Sequence, residues 1–184
     1  SLPLHSELAR ARHLAAGRQA HAVLLTCTEP PCPQQAAIIK RNLAGIGITV
    51  DVHLLSKPLL YARLFAGSSN WDITFLGWGI DFADFTSVLP ALLDGRTIGS
   101  ADNADWSGFD NRTFESRLDH AATVTGPRRG RVLTLLADSV ARRQSPMIAY
   151  REDVAHDLVA RRVGCRVYQP LIGMDLARLC LVTS

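Results

Sequence analysis

The sequence predicts an α/β fold built on a sheet that is at least partly parallel. Three observations carry this expectation. Residues 22–27 form a continuous apolar run of strand length, residues 48–54 alternate between apolar and polar, and a helix-spaced segment lies between them. A second helix-then-strand step follows at residues 58–78, after which the periodicity turns helical.

Residues 5 to 16 are expected to form a helix, with Leu8, Ala11 and Ala15 at helical spacing and Gly17 as its stop. Ala22-Val23-Leu24-Leu25-Thr26-Cys27 reads as a strand covered on both faces, because no polar residue interrupts it at every second position. Pro31 and Pro33 prepare a helix start, and Ala36, Ile39, Leu43 and Ile46 share one face before Gly45 and Gly47 end it. The run Ile48 to Leu54 puts four aliphatics on one face and Thr49, Asp51 and His53 on the other. The resulting β-α-β unit is expected to be parallel and right-handed. Pro58 to Ala66 reads as a short helix stopped by Gly67, and Trp71 to Trp78 as a strand that runs into a glycine-containing loop.

Beyond that loop, Ser87 to Leu93, then Phe114, Leu118 and Ala121, then Leu133, Leu136 and Val140 predict helices. They are separated by a long loop at Gly95 to Asp110 and a tight break at Gly126-Pro127. Residues 146–150, Val154 to Val159 and Leu176 to Val182 read as short strands, the last an edge strand or a return to another lobe.

At 184 residues with 47% hydrophobic content, the chain is long enough to bury a core. The net charge is only +3, and the basic residues are 18 arginines plus Lys40 and Lys57. The arginines are scattered apart from the short cluster Arg128, Arg129 and Arg131, and all of them, that cluster included, read as solvated surface, so no nucleic-acid partner is expected. No apolar run approaches the roughly 18–20 residues of a membrane span. The first residues lack a basic region followed by a hydrophobic core, and they read as the middle of an element, as in a piece of a longer protein. Cys27, Cys32, Cys165 and Cys180 fall in two local pairs and suit two disulfides in an oxidising compartment, with buried free thiols as the plainer alternative. Cys27 and Cys32 flank a proline-rich turn, and Cys165 and Cys180 can meet across neighbouring strands. Their spacing is a poor zinc set, and no metal is expected.

The chemistry concentrates in Gly77-Trp78-Gly79-Ile80-Asp81-Phe82-Ala83-Asp84-Phe85, just past the carboxyl end of a predicted strand, where open α/β sheets hold ligands. The glycines allow close backbone approach, the Trp78 indole offers a flat apolar wall, and Asp81 and Asp84 can meet a cation such as a peptide's ammonium group. The plainer reading makes Asp81 or Asp84 a helix cap and Trp78 a core residue. No nucleophile motif, phosphate loop or histidine ligand spacing is present, so neither enzymatic activity nor a cofactor is expected.

These residues resemble, in order, the C-terminal part of the family 5 extracellular solute-binding proteins, which deliver peptides, nickel or other solutes to ABC importers. Ala9-Arg10-Ala11 to Gly17 is similar to the family's "A…LL…AG" element, and Ile39 to Val52 to its "L…GI.V.V" lead-in. Tyr61 to Leu64, Gly67, Trp71-Asp72 and Gly77-Trp78 through Asp84 resemble "Y…L..G..D…..GW..D..DP". Trp106 to Asn111 resembles the "N.sgy.np" loop, and Arg131 to Ala137 with Pro146-Met147-Ile148 the "R..ly..a…….P.ipl" segment.

The resemblance implies a type II periplasmic-binding-protein-like lobe, three-layered with a mixed, partly parallel sheet. It makes residues 1–184 a single C-terminal lobe or fragment of a two-lobed protein. It also implies capture of a peptide or other small solute, delivery to the membrane permease of an ABC importer by the full-length protein, and a place outside the cytoplasm as a periplasmic protein or cell-surface lipoprotein. The aspartate three residues after the tryptophan, Asp81, would pair with the ligand's amino terminus. Trp78, Gly79, Asp84 and Phe85 complete the expected site, with Phe85 standing where the family usually has proline. One lobe alone is expected to bind weakly. The alternative is a ligand-sensing domain fused to a DNA-binding regulator in the cytoplasm, which the paired cysteines disfavour.

Overall fold

A computed structural model describes residues 4–67, 70–75, 77–82, 84–100, 103–150, 154, 156–169 and 171–182, with side chains from Leu8 onward. The chain divides into two compact units, Ser1–Gly77 and Trp78–Ser184.

In the first unit, helix α1 (Leu4–Ala15) ends where Ala16 and Gly17 turn left-handed, at φ 49° and 72°. Strand β1 (Ala20–Cys27) follows, then α2 (Cys32–Ala44) with Pro33 in its first turn, then β2 (Ile48–Leu55). β1 and β2 pair in parallel from Ala20 opposite Ile48 to Cys27 opposite Leu55. Gly47 permits this return, because at φ 88° any Cβ would stand 2.7 Å from the Arg18 carbonyl oxygen. Helix α3 (Lys57–Phe65) leads to β3 (Ile73–Thr74), which pairs in parallel with the other side of β1. The order β2-β1-β3 makes β1 the central strand. Its unbroken apolar run is explained by this position: Leu24 is 0% and Leu25 1% exposed. Leu24, Ala36, Val50 and Phe75 form the core, packed by Ile39, Leu43, Ile48, Val52 and Ile73.

Two expectations for this unit change. The third strand is two residues long, not eight. The Asp72 carboxylate accepts from the Val23 amide at 2.7 Å and the Thr74 hydroxyl donates to the Leu25 carbonyl at 3.0 Å, so side chains supply bonds to β1 that a longer ladder would have made. On β2, Leu54 is 44% exposed, so its apolar face is covered only toward the centre of the strand.

In the second unit, a 3₁₀ turn at Phe85–Ser87 leads to α4 (Leu89–Leu93), and a second 3₁₀ turn at Gly95–Thr97 opens the long loop. Helix α5 (Arg112–Thr123) is capped by the Asn111 side chain, which accepts from the Phe114 amide at 3.0 Å. Helix α6 (Pro127–Arg143) starts on proline after Gly126 at φ 65°. Leu89, Leu93, Phe114, Leu118, Ala121, Leu133, Leu136 and Val140 bury the facing stripes. The loop is pinned by Arg96, whose guanidinium reaches Asp94 at 2.8 Å and Asp119 on α5 at 3.0 Å.

Inside that loop Asp105 is 2% exposed. One of its oxygens accepts from the Ser107 hydroxyl at 2.6 Å and the Phe109 amide at 3.3 Å, and the other has no partner among the described residues. Burial pushes this carboxyl's pKa up against the pull of those bonds. A carboxyl raised in the fold stabilises fully below its unfolded pKa of about 3.9, and that contribution is lost as pH rises through the folded value. Asp105→Asn, which removes the charge and keeps the accepting oxygen, is expected to raise stability near neutral pH by about 1–2 kcal/mol and not at pH 4. Urea midpoints of both proteins at the two pH values check this; an equal change at both pH values overturns it.

The tail carries two short antiparallel pairs, β4 (Val163–Gly164) with β7 (Cys180–Leu181) and β5 (Tyr168–Gln169) with β6 (Gly173–Met174). The strands expected at 146–150 and 154–159 are not formed among the described residues, and of Leu176–Val182 only Cys180–Leu181 is strand. Their aliphatic content reads as strand, but a strand needs a paired neighbour and these segments have none there. Both disulfides form as the spacing suggested, Cys27–Cys32 with Cα atoms 5.4 Å apart and Cys165–Cys180 at 5.3 Å. The fold class is therefore α/β with a parallel sheet, and the antiparallel pairing lies apart from that sheet.

Candidate ligand-binding site

The expected site residues Trp78, Gly79, Asp81, Asp84 and Phe85 fall on one loop that opens the second unit. Its far end is fixed by Asp84. One oxygen of that carboxylate accepts from the Thr86 amide at 2.8 Å and the Thr86 hydroxyl at 2.9 Å, capping the 3₁₀ turn. The other accepts from the Arg129 guanidinium on α6 at 2.7 Å. Arg129 also donates to the Thr86 hydroxyl at 3.1 Å and to the Val124 carbonyl at 3.4 Å. The Thr86 amide, first, and Arg129, second, hold the Asp84 carboxyl below its ordinary range, so it stays charged through mild acid. Asp84 and Arg129 are 26% and 28% exposed. Both Asp84 oxygens are thus engaged by the protein itself.

Asp81 differs. It is exposed, and no hydrogen bond or ion pair engages its carboxylate among the described residues. Around it the loop exposes Trp78, Ile80, Phe82 and Phe85. The Trp78 indole is oriented by its N–H, which donates to the Ser87 carbonyl at 3.2 Å, and the residue stays 41% exposed. Phe85 takes the first position of the 3₁₀ turn after its cap, a position where proline's missing N–H costs nothing. The departure from proline therefore leaves the turn intact and adds an exposed phenyl ring to the loop. A Cβ built on Gly79 meets nothing within 4 Å, so the fold itself does not demand glycine there. A cavity of about 250 Å³ elsewhere in this unit is lined by Arg117, Ser139 and Arg143, and by none of the loop residues. Among the described residues no cluster of three metal-ligating side chains forms, and no helix is long and apolar enough to cross a membrane.

Arg129 is the residue that sequence reasoning missed. It was grouped with Arg128 and Arg131 as solvated surface, and its only local signal is its place in the first turn of the helix behind Gly126-Pro127.

No family profile matches the chain. It is 30% identical over 96 residues to the peptide transport periplasmic protein SapA of Haemophilus influenzae, a match covering 52% of this chain and 17% of that protein. Among solved structures, HbpA2 from Haemophilus parasuis superposes with a TM-score of 0.73 at 18% identity, covering 100% of this chain and 36% of that one. The fold is that of a part of a type II periplasmic binding protein. A dipeptide binding protein from Pseudoalteromonas sp. SM9913, in complex with Met-Leu, gives a TM-score of 0.69 at 19% identity over 95% of this chain and 35% of that one. DppA from Helicobacter pylori, in complex with the peptide STSA, gives 0.63 at 19% identity over 75% of this chain and 27% of that one. The resemblance drawn from motif order to the family 5 solute-binding proteins is borne out by these likenesses. The chain spans 17% of the curated relative and about a third of the length of HbpA2, at 36%.

Proposed function

We propose that this chain is the ligand-contacting segment of the C-terminal lobe of a two-lobed solute-binding protein that captures peptides for an ABC importer. One observation carries the reading: a carboxylate, Asp81, that no side chain or amide among the described residues engages, amid exposed apolar side chains on a loop anchored from behind by Asp84 and Arg129. In this reading Asp81 receives the ligand's ammonium group and the Trp78 indole lines the peptide backbone. Gly79 admits the ligand's main chain, and Phe85 shapes the wall. Asp84 serves as a positioning residue rather than a contact. The protein acts by binding alone and passes its cargo to a membrane permease. Two disulfides support an extracytoplasmic place, in the periplasm or at the cell surface, over the intracellular sensor alternative.

Calorimetric titration of the two-lobed protein with di- to pentapeptides, free and N-acetylated, tests this. Free peptides are expected to bind and acetylated ones to lose affinity sharply, because acetylation removes the charge that Asp81 would meet. Equal affinity for both sinks the ammonium role, and no binding of either sinks peptide capture. Gly79→Ala separates the site from the scaffold. It is expected to change stability by less than about 0.5 kcal/mol, since a Cβ meets no neighbour, and to weaken peptide binding. A melting scan and a titration of the same variant read the two effects.

A further inference from the structure

The cavity of about 250 Å³ in the second unit lies where the first turns of α5 meet the last turns of α6, and Arg117 and Arg143 both line it. Other cations of α6 are compensated within the chain: Arg129 pairs with Asp84 at 2.7 Å and Arg142 with Asp138 at 2.6 Å. Neither Arg117 nor Arg143 has a hydrogen-bond or ion-pair partner among the described residues. Among those residues no carboxylate lines the cavity either. Glu115, two positions before Arg117, is buried elsewhere, with its Oε1 3.0 Å from where a Cβ on Gly95 would stand. Two like charges therefore border one cavity and repel unless an anion joins them. The remaining lining donates as well. Asn111 caps α5, so its carbonyl oxygen is taken by the Phe114 amide at 3.0 Å. Its amide nitrogen is left to donate, and does so to the Gln144 side-chain oxygen at 3.1 Å. Gln144 thus has its acceptor engaged, while its NH₂ group carries no bond among the described residues. The Ser139 hydroxyl lines the same cavity, as does Thr113 in the first turn of α5, where the helix dipole favours negative charge. Phe114 and Leu136, both core residues, line it too, so these donors are carried by packed helices.

We propose that this cavity binds a small oxyanion of the phosphate or carboxylate type, held by the guanidinium forks of Arg117 and Arg143 and by the Gln144 amide. Its volume lies below the roughly 300–1,000 Å³ of pockets that take drug-sized ligands, which restricts the occupant to a small ion. The site is separate from the loop of Asp81. Arg129, which anchors that loop, stands near the start of α6 and Arg143 at its end, about 20 Å apart along the helix axis. The proposal therefore does not depend on the ligand of that loop being a peptide.

Calorimetric titration of the two-lobed protein with sodium phosphate and with sodium succinate, each against sodium chloride at equal ionic strength, decides it. At least one of the two is expected to bind, and the stronger shows whether a phosphate or a carboxylate fits the site. Arg117→Gln and Arg143→Gln are each expected to weaken that binding at least about tenfold. Arg131→Gln, which removes the same charge from α6 outside the cavity, is expected to leave it unchanged. Gln144→Glu keeps an oxygen for Asn111 and sets a carboxylate among the donors, so it is expected to abolish binding while the melting temperature in chloride does not fall. No heat beyond the chloride control with either anion overturns the proposal. So does a loss in Arg131→Gln equal to that of the cavity arginines, since net charge alone would then explain the binding. Anion binding without peptide binding supports this site and counts against peptide capture alone.

Discussion

Replacing Asp81 by alanine in the two-lobed protein is expected to weaken peptide binding by about 2–5 kcal/mol, roughly 30- to 5,000-fold. The magnitude follows from what the loop offers. Asp84 has both oxygens occupied by Thr86 and Arg129, so its charge is already compensated by the protein. Asp81 carries the loop's other carboxylate, and nothing among the described residues balances it. In the proposed site a ligand's ammonium group would meet this carboxylate beside the exposed apolar side chains of Trp78 and Phe82. Removing the carboxylate then leaves the ligand's charge desolvated and unpaired. Because Asp81 makes no contact that holds the fold, the variant's melting temperature is expected to match the parent's. Calorimetry with a mixed di- to pentapeptide pool measures the loss. Unchanged affinity ends the assignment, and a fall in affinity that tracks a fall in melting temperature reduces Asp81 to a scaffold residue.

Converting both Cys165 and Cys180 to serine is expected to destabilise the protein by about 3 kcal/mol, the chain-entropy value for a closed loop of about 15 residues. The bridge spans 15 positions. The Cys27–Cys32 bridge spans 5, and the same relation gives it about 2 kcal/mol. The order matters more than either value, because the tail has no buried side chain among the described residues to fall back on, whereas Cys27 and Cys32 sit against a core that also holds Leu24, Ala36, Val50 and Phe75. Guanidinium midpoints of the two serine pairs, measured on the complete protein, check the order. A larger loss at the shorter bridge would show that native-state contacts, not loop closure, set these contributions.

Much of the first unit was legible because each of its signals is local. The run from Ala22 to Cys27 marks a doubly covered strand, the alternation from Ile48 a half-covered one, and Gly17, Gly45 and Gly47 mark where helices stop. The third strand was overestimated because Trp71 to Trp78 has strand composition throughout. Pairing length is set instead by the partner, and side chains of Asp72 and Thr74 take the bonds at its margins. In the tail the same error recurs for a different reason. Residues 146–150 and 154–159 are as aliphatic as strands, but the neighbour that would pair with them is not in this chain's described structure.

The candidate site divides along the same line. Sequence alone determined which residues share the loop from Trp78 to Phe85, and that two carboxylates stand there three positions apart, because chain adjacency and residue chemistry need no fold to be read. It also suggested the two cysteine pairs, with free thiols as the alternative, and the structure forms both bridges. Only the tertiary structure decided which carboxylate has no partner among the described residues. That depends on Arg129, 45 positions downstream, arriving beside Asp84 when α6 packs in the second unit. The resemblance favoured Asp81, but residue chemistry alone does not separate it from Asp84, because a charge becomes available or compensated through a distant partner's position, and packing fixes that position.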